Sequence, residues 1–207
     1  MEIRSANQKT GRIAEERRAQ ILKAAAACFG RRGFHLTSMA EVCAEANISP
    51  GSVYRYFRSK EEIIIALSEQ EREQIEGIFA EAETQPTLEA ALHYCGLAFD
   101  EWLRSPESLI LWLEMLAEAA RNPHVKAIFA RTDQVLRERL GHLFQMAKAR
   151  GEIDPELDVD QSVKMLIAIY DGMMTRRSYD ELDSERFQEN LSLLLRRFLQ
   201  LGGTNVG

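Results

Sequence analysis

The chain has 207 residues, of which 45% are hydrophobic, 28% charged and 8% aromatic. That is apolar material for one large or two small cores, with too little charge bias for a disordered chain. No apolar run approaches the roughly 18–20 residues of a membrane span, and the N-terminus lacks the apolar stretch of a secretory signal. Three cysteines without short spacing, Cys28, Cys43 and Cys95, argue against a disulfide framework or a paired-cysteine metal site. The expectation is a cytoplasmic protein.

The net charge of −6 is unevenly spread. Residues 1–60 carry 11 Lys/Arg against 5 Asp/Glu, whereas residues 61–207 carry 15 against 27. Eight acids and a single base, Arg72, lie between Glu61 and Glu83. A basic N-terminal part on an acidic chain points to a polyanionic partner for that part alone. An unevenly charged solvated surface has the same composition.

The periodicity is helical almost throughout. Residues 1–12 are polar and unpatterned, which predicts a flexible arm. A first helix is expected over 14–32, with Ile21, Leu22, Ala25 and Phe29 on one face and Gly33 closing it. Ser38 and Glu41 make a capping box for a short second helix that ends near Asn47. Ser49-Pro50 restarts the chain as a third short helix to Tyr56. A second capping box, Ser59-Lys60-Glu61-Glu62, opens a long fourth helix to about Glu83. Five more are expected over 87–104, 106–120, 123–150, 158–177 and 184–201, the last ending at Gly202-Gly203. The fold class is therefore all-α, with about nine helices.

Two short helices joined by a three- or four-residue turn have the geometry of a helix-turn-helix, here about residues 38–57. The exposed face of the second is Gly51, Ser52, Arg55 and Tyr56. Gly51 and Ser52 permit close approach to base edges, and free N–H groups at a helix start suit a phosphate. Arg55 can reach a guanine edge or a phosphate, and Tyr54 and Tyr56 can donate hydroxyls to phosphates. Lys60 sits badly with the dipole of the helix it opens unless an anion compensates, as a phosphate would. Phe57, and in part Tyr54, also fit the core of a small bundle.

The run Ala24–Phe34, then Thr37-Ser38-Met39, then Ile48-Ser49-Pro50-Gly51-Ser52-Val53-Tyr54-Arg55-Tyr56-Phe57-Arg58-Ser59-Lys60-Glu61-Glu62, resembles the tetracycline-repressor (TetR/AcrR) family of bacterial transcription regulators. The match is dense over 17–65. Beyond it the resemblance is architectural, with a Gly-Glu-Ile-Asp-Pro turn at 151–155 and Tyr170-Asp171-Gly172 in the eighth helix. It implies a helix-turn-helix DNA-binding domain at 13–59 and a ligand-binding and dimerisation domain at 60–207. It further implies that Gly51, Ser52 and Arg55 lie nearest the bases. Thr37, Ser38, Ser49, Tyr54, Tyr56 and Lys60 complete the expected DNA-binding set, most of them on backbone phosphates. Met39 stands where some members carry a polar residue, so no base contact is assigned to it.

Phe187, Leu191, Leu194, Leu195, Phe198 and Leu201 form an apolar stripe on the ninth helix. Val163, Leu166, Ile167, Tyr170, Met173 and Met174 form another on the eighth. Periodicity alone allows a single-chain core to absorb both; the resemblance implies a four-helix interface between two copies, and a dimer is expected. Trp102, Trp112, Glu114, Met115, Phe129 and Tyr170, with Tyr94, His93 and Glu118 nearby in sequence, are candidates to line a small-molecule pocket of apolar walls and few polar groups. Any one of them fits a core equally well.

The four histidines have no zinc-site spacing, and no nucleophile elbow or glycine-rich phosphate loop occurs. The acids Asp154, Glu156, Asp158 and Asp160 lack the glycine and terminal glutamate of a calcium loop. No metal, cofactor or catalytic residue is assigned. The expectation is a dimeric repressor that binds a palindromic DNA operator and is released by a small-molecule inducer. A helical protein-interaction module is the alternative, and an all-α enzyme a more distant one.

Overall fold

The computed structural model describes residues 2–180 and 184–198, with side chains for 11–105, 107–180 and 184–197. Nine α-helices and no strands occur among the described residues: α1 (Glu2–Arg32), α2 (Met39–Ala46), α3 (Pro50–Tyr56), α4 (Lys60–Ala82), α5 (Leu88–Trp102), α6 (Pro106–Ala119), α7 (Pro123–Ala149), α8 (Val159–Arg176) and α9 (Ser184–Phe198). The order and types match the expectation. The difference is at the N-terminus, where α1 is helical from Glu2 rather than from residue 14. Extending a helix from a packed segment adds one bond per ordered residue and needs no new nucleus. Leu201 and Gly202-Gly203 lie outside the described residues.

Local signals set most boundaries. Ser38 accepts from the Glu41 N–H while Glu41 accepts from the Ser38 N–H, the reciprocal box that starts α2. Asn47 takes the left-handed conformation (φ 52°), and Ile48 N–H then reaches the Cys43 carbonyl at 3.1 Å. Gly151 (φ 69°) ends α7 in the same way, with Glu152 N–H on the Ala147 carbonyl. Before α4 the box is altered: Ser59 accepts from the Glu62 N–H, but the Glu62 carboxylate takes the Arg58 N–H.

The chain divides into two compact units. The first comprises residues up to Gln70 together with Ile110–Phe129. Its core joins Ile21, Leu22, Ala25 and Phe29 of α1 to Val42, Val53, Phe57, Ile63, Met115, Val125 and Ile128. Arg31–Glu45 and Arg32–Glu41 ion pairs tie α1 to α2 across its rim. The Arg31 guanidinium holds the Glu45 carboxyl below its ordinary range.

The second unit comprises Glu71–Leu109 and the described residues from Ala130 onward. It buries Phe79, Leu88, Leu143, Phe144, Met174 and Phe187 almost completely. A buried Asp100–Arg177 ion pair joins α5 to the end of α8, and Gln188 donates from its amide nitrogen to the Gly96 carbonyl at 2.9 Å. Glu152 and Thr87 satisfy the first N–H groups of α5.

The residues expected to form the dimer face pack largely within the chain's own second unit. Val163, Leu166, Ile167, Phe187, Leu191 and Leu195 are all buried within the single chain, and Leu194 is half-buried. The side chain of Phe198 lies outside the described residues. Turned inward, these stripes are this unit's own core; Met165 (42% exposed), Ala168 and Gly172 of α8 and Leu193 (57% exposed) of α9 face outward instead.

Burial and the nearby Asp133 carboxylate raise the Asp171 carboxyl from 3.8 to about 6. A carboxyl raised on folding supports stability in its protonated form, and that support is lost as pH rises through the folded value. The Asp171→Asn variant should therefore unfold at higher temperature than the parent at pH 7.5 and match it at pH 3.5, by thermal melts monitored by circular dichroism.

Candidate nucleic-acid interface

Helix α3 has only seven residues, too few to persist alone in water. It is held by Val53 and Phe57, both essentially buried in the first core, with Ile48 and Tyr56 packed partly against it. Pro50 supplies the preset φ of a first helical position. That anchoring turns the opposite face to solvent. Gly51 is exposed, with nothing near the place a side chain would occupy; Tyr54 is half exposed, and Arg55 is exposed one position on.

The polar groups of this region fall into two classes. Tyr54, Arg55 and Tyr56 have side-chain donors that engage no hydrogen bond or ion pair among the described residues, and so does Arg58, just past α3, which sequence reasoning did not single out. Its signal was a cation two residues beyond the α3 tyrosines. The other class is committed internally. Thr37 is buried, and its hydroxyl points at the Gly33 carbonyl (2.8 Å) and the Cys28 carbonyl (3.2 Å). The Ser38 hydroxyl donates to Glu41 at 2.8 Å. Ser49 and Ser52 hydroxyls bond each other at 3.0 Å. Lys60 donates to the Phe34 carbonyl at 2.5 Å and the His35 carbonyl at 3.2 Å. At the start of α4 the Lys60 ammonium is thus met by two carbonyl oxygens of the chain.

Sequence similarity and fold agree on what such a face belongs to. Residues 21–67 match the description "Bacterial regulatory proteins, tetR family", and residues 87–200 match "BetI-type transcriptional repressor, C-terminal". The chain is 31% identical over 180 residues to the HTH-type transcriptional regulator UidR of Escherichia coli (strain K12), covering 83% of this chain and 87% of UidR. The chain belongs to the tetR family of bacterial regulatory proteins.

It is a DNA-binding, helix-turn-helix transcriptional regulator, in a family of regulators rather than enzymes. Among solved structures, Salmonella enterica GusR superposes with a TM-score of 0.76 at 29% identity, over 89% of this chain and 96% of GusR. The fold is also that of the Bacillus subtilis regulator FadR, solved in complex with stearoyl-CoA, with a TM-score of 0.77 at 21% identity, over 86% of this chain and 96% of FadR. Regulators of this family bind DNA and ligands, usually as dimers.

The six pocket candidates divide between the two units. Met115 is buried in the first unit's core, with Phe129 packed against it. Glu114 accepts the Phe34 N–H at 3.2 Å, and Trp112 is half-buried on the same helix. Trp102 and Tyr170 belong to the second unit, where both contact Phe99, and Tyr170 also stacks edge-on against Phe187. The Tyr170 hydroxyl and the Gln188 side-chain oxygen are buried there without a hydrogen-bond partner. Burial pushes the Tyr170 phenol up, and the Cys95 thiol up to about 12. Among the described residues no group of acids, histidines and cysteines is arranged to hold a metal ion, and no helix is long and apolar enough to cross a membrane.

An inward-pointing Thr37 hydroxyl has a different mutational signature from a phosphate contact. Thr37→Val should lower unfolding free energy by about 1 kcal/mol while leaving the salt dependence of DNA binding unchanged, by urea melts and fluorescence anisotropy titrations.

Proposed function

We propose that this regulator is a cytoplasmic repressor that binds a palindromic operator as a homodimer and is released by a small-molecule inducer. The observation that carries the DNA-reading part is the outward face of α3: an unobstructed Gly51 beside uncommitted Tyr54 and Arg55 on a helix pinned from behind by Val53 and Phe57. Gly51 lets the helix sit deep in a major groove, Arg55 reaches a base edge, and Tyr54, Tyr56 and Arg58 donate to phosphates. The basic balance of residues 1–60 supplies the long-range attraction.

The dimer rests on the outward side of α8 and α9. Met165, Ala168, Gly172 and Leu193 offer small and apolar exposed positions, so that two copies of α8 can approach closely about a two-fold axis. A β-carbon at Gly172 would meet nothing within 4 Å, and Gly172→Arg should yield a folded monomer by sedimentation velocity. For the inducer, the unsatisfied Tyr170 hydroxyl and Gln188 oxygen among Phe99, Trp102 and Phe187 favour a ligand with an apolar body and a hydrogen-bonding group.

Selection of genomic fragments with purified protein, repeated at several salt concentrations, tests the reading. The expected result is one or a few palindromic sites whose affinity falls steeply with salt; no enriched site would move the protein-interaction alternative forward. On the selected operator, Arg55→Ala should weaken binding and relax preference at a single base position in each half-site, a loss of about 1–3 kcal/mol of discrimination.

A further inference from the structure

We propose that the first unit carries a binding groove for a small organic anion, a carboxylate or phosphate on an apolar body, between the end of α1 and the end of α6. All its lining residues lie in the first unit, whereas the aromatic cluster around Tyr170 belongs to the second.

The groove measures about 630 Å³, within the range of small-molecule sites. Local requirements of the chain place its walls. Arg31 and Arg32 stand in the last turn of α1, where cations offset the carbonyl end of the helix dipole. Gly33 (φ +80°) then turns the chain and leaves His35 and Leu36 exposed. Glu114 comes from α6 and Arg121 from the turn that follows it, while Gly30 and Gly33 line the groove with bare backbone.

Three guanidiniums and an imidazole thus face a single lining carboxylate. All four of these basic side chains are more than half exposed, and each is steadied by a carboxylate that does not line the groove. Glu45 holds Arg31, Glu41 holds Arg32, and the fully buried Glu118 holds both Arg121 and His35. The acids are spent by these bonds. Glu45 uses both oxygens on Arg31, Glu41 uses its two on Arg32 and Ser38, and Glu118 also accepts from Asn122. Glu114 Oε1 takes the Phe34 N–H.

The guanidiniums are not spent. Each has five N–H donors, yet Arg32 commits one terminal nitrogen to Glu41 and Arg121 one to Glu118. Neither has another partner among the described residues. The surplus is therefore of fixed cationic donors, and an oxyanion is the group that matches it. Holding the guanidiniums in place beforehand also lowers the ordering cost of binding.

Leu36 supplies the apolar half. It lines the same groove and is 72% exposed, more than any other large hydrophobic side chain described. A DNA backbone fits this place less well. Three guanidiniums are matched by the four carboxylates of Glu41, Glu45, Glu114 and Glu118, which leaves little long-range pull on a polyanion. Short directed bonds beside an apolar wall suit one compact anion.

The probes are phenyl phosphate and benzoate, titrated into the full chain at fixed pH and ionic strength and followed by NMR on the arginine Nε–H signals. Benzyl alcohol and benzyltrimethylammonium serve as neutral and cationic counterparts; inorganic phosphate lacks the ring. The variants are Arg32→Gln, Arg121→Gln and Leu36→Ser, each checked for folding by circular dichroism melts. If Arg121→Gln, whose partner is buried, does not fold, the other two carry the test.

The expected result is saturable binding of both aromatic anions at about 1 mM or below, with shifts at Arg32 and Arg121, and no binding of the alcohol or the ammonium. Each arginine variant should bind about tenfold more weakly. Leu36→Ser should weaken the aromatic anions severalfold and leave the weaker binding of inorganic phosphate unchanged. Equal affinity for benzyl alcohol, or anion binding that survives the arginine variants, overturns the site. Inorganic phosphate bound as tightly as phenyl phosphate overturns the ligand class. A parent that binds neither aromatic anion also overturns the proposal; if the arginine variants then cut the salt slope of operator binding by about 0.9 per lost contact, these guanidiniums belong to the DNA backbone instead.

Discussion

A seven-residue helix has no shape of its own in water, and everything this regulator does with DNA depends on lending one to α3. Nucleation costs more than so few hydrogen bonds return, so the helix exists because Val53 and Phe57 are buried in a core built largely by α1, α2 and the start of α4. Burial of two such side chains contributes about 3–6 kcal/mol, more than the helix could supply internally. The same contacts decide orientation: with Val53 and Phe57 fixed inward, helical periodicity leaves Gly51, Tyr54 and Arg55 outward. Anchoring and display are one constraint seen from two sides.

The polar network around this core follows from a second constraint, that buried or turn-bound backbone groups need partners. Hydroxyls in this region are short of reach, and most are used at home: Thr37 on the end of α1, Ser38 in its capping box, Ser49 and Ser52 on each other. The longer, exposed side chains remain available to another molecule. Separating committed from free donors divides the candidate residues more sharply than residue type does, because a tyrosine and a buried threonine look alike as hydroxyl donors until their partners are known.

Much of the fold was legible because its punctuation is chemical. Ser38 with Glu41, Asn47 at a left-handed cap, Pro50 at a first helical position, Thr87 and Asp158 as N-caps and Gly151 as a terminator each mark a boundary through a local physical requirement. What was not legible is the direction in which an apolar stripe faces. Val163, Leu166, Phe187 and Leu191 have the spacing of an interface, yet they fill their own unit; period reports a face, not its partner. Among the pocket candidates, Met115 and Phe129 likewise serve the first unit's core. Glu114 and Glu118 were visible as two acids one turn apart on a largely apolar helix. Only the fold brings Phe34 and His35 to them.

A regulator must also be movable, and the arrangement of strong and weak restraints sets how far a ligand's influence needs to reach. A 100-fold fall in operator affinity requires about 2.7 kcal/mol of differential binding between two states. The apolar anchoring of α3 is worth more than that, so a ligand of ordinary affinity has no need to unpack it and little ability to do so. The bonds about the turn 33–36 lie in the opposite range: each is a net contribution of about 1–3 kcal/mol, and each is a discrete contact that is either made or broken. Release from DNA then asks for a shift in how the reading helices are presented, with each helix intact.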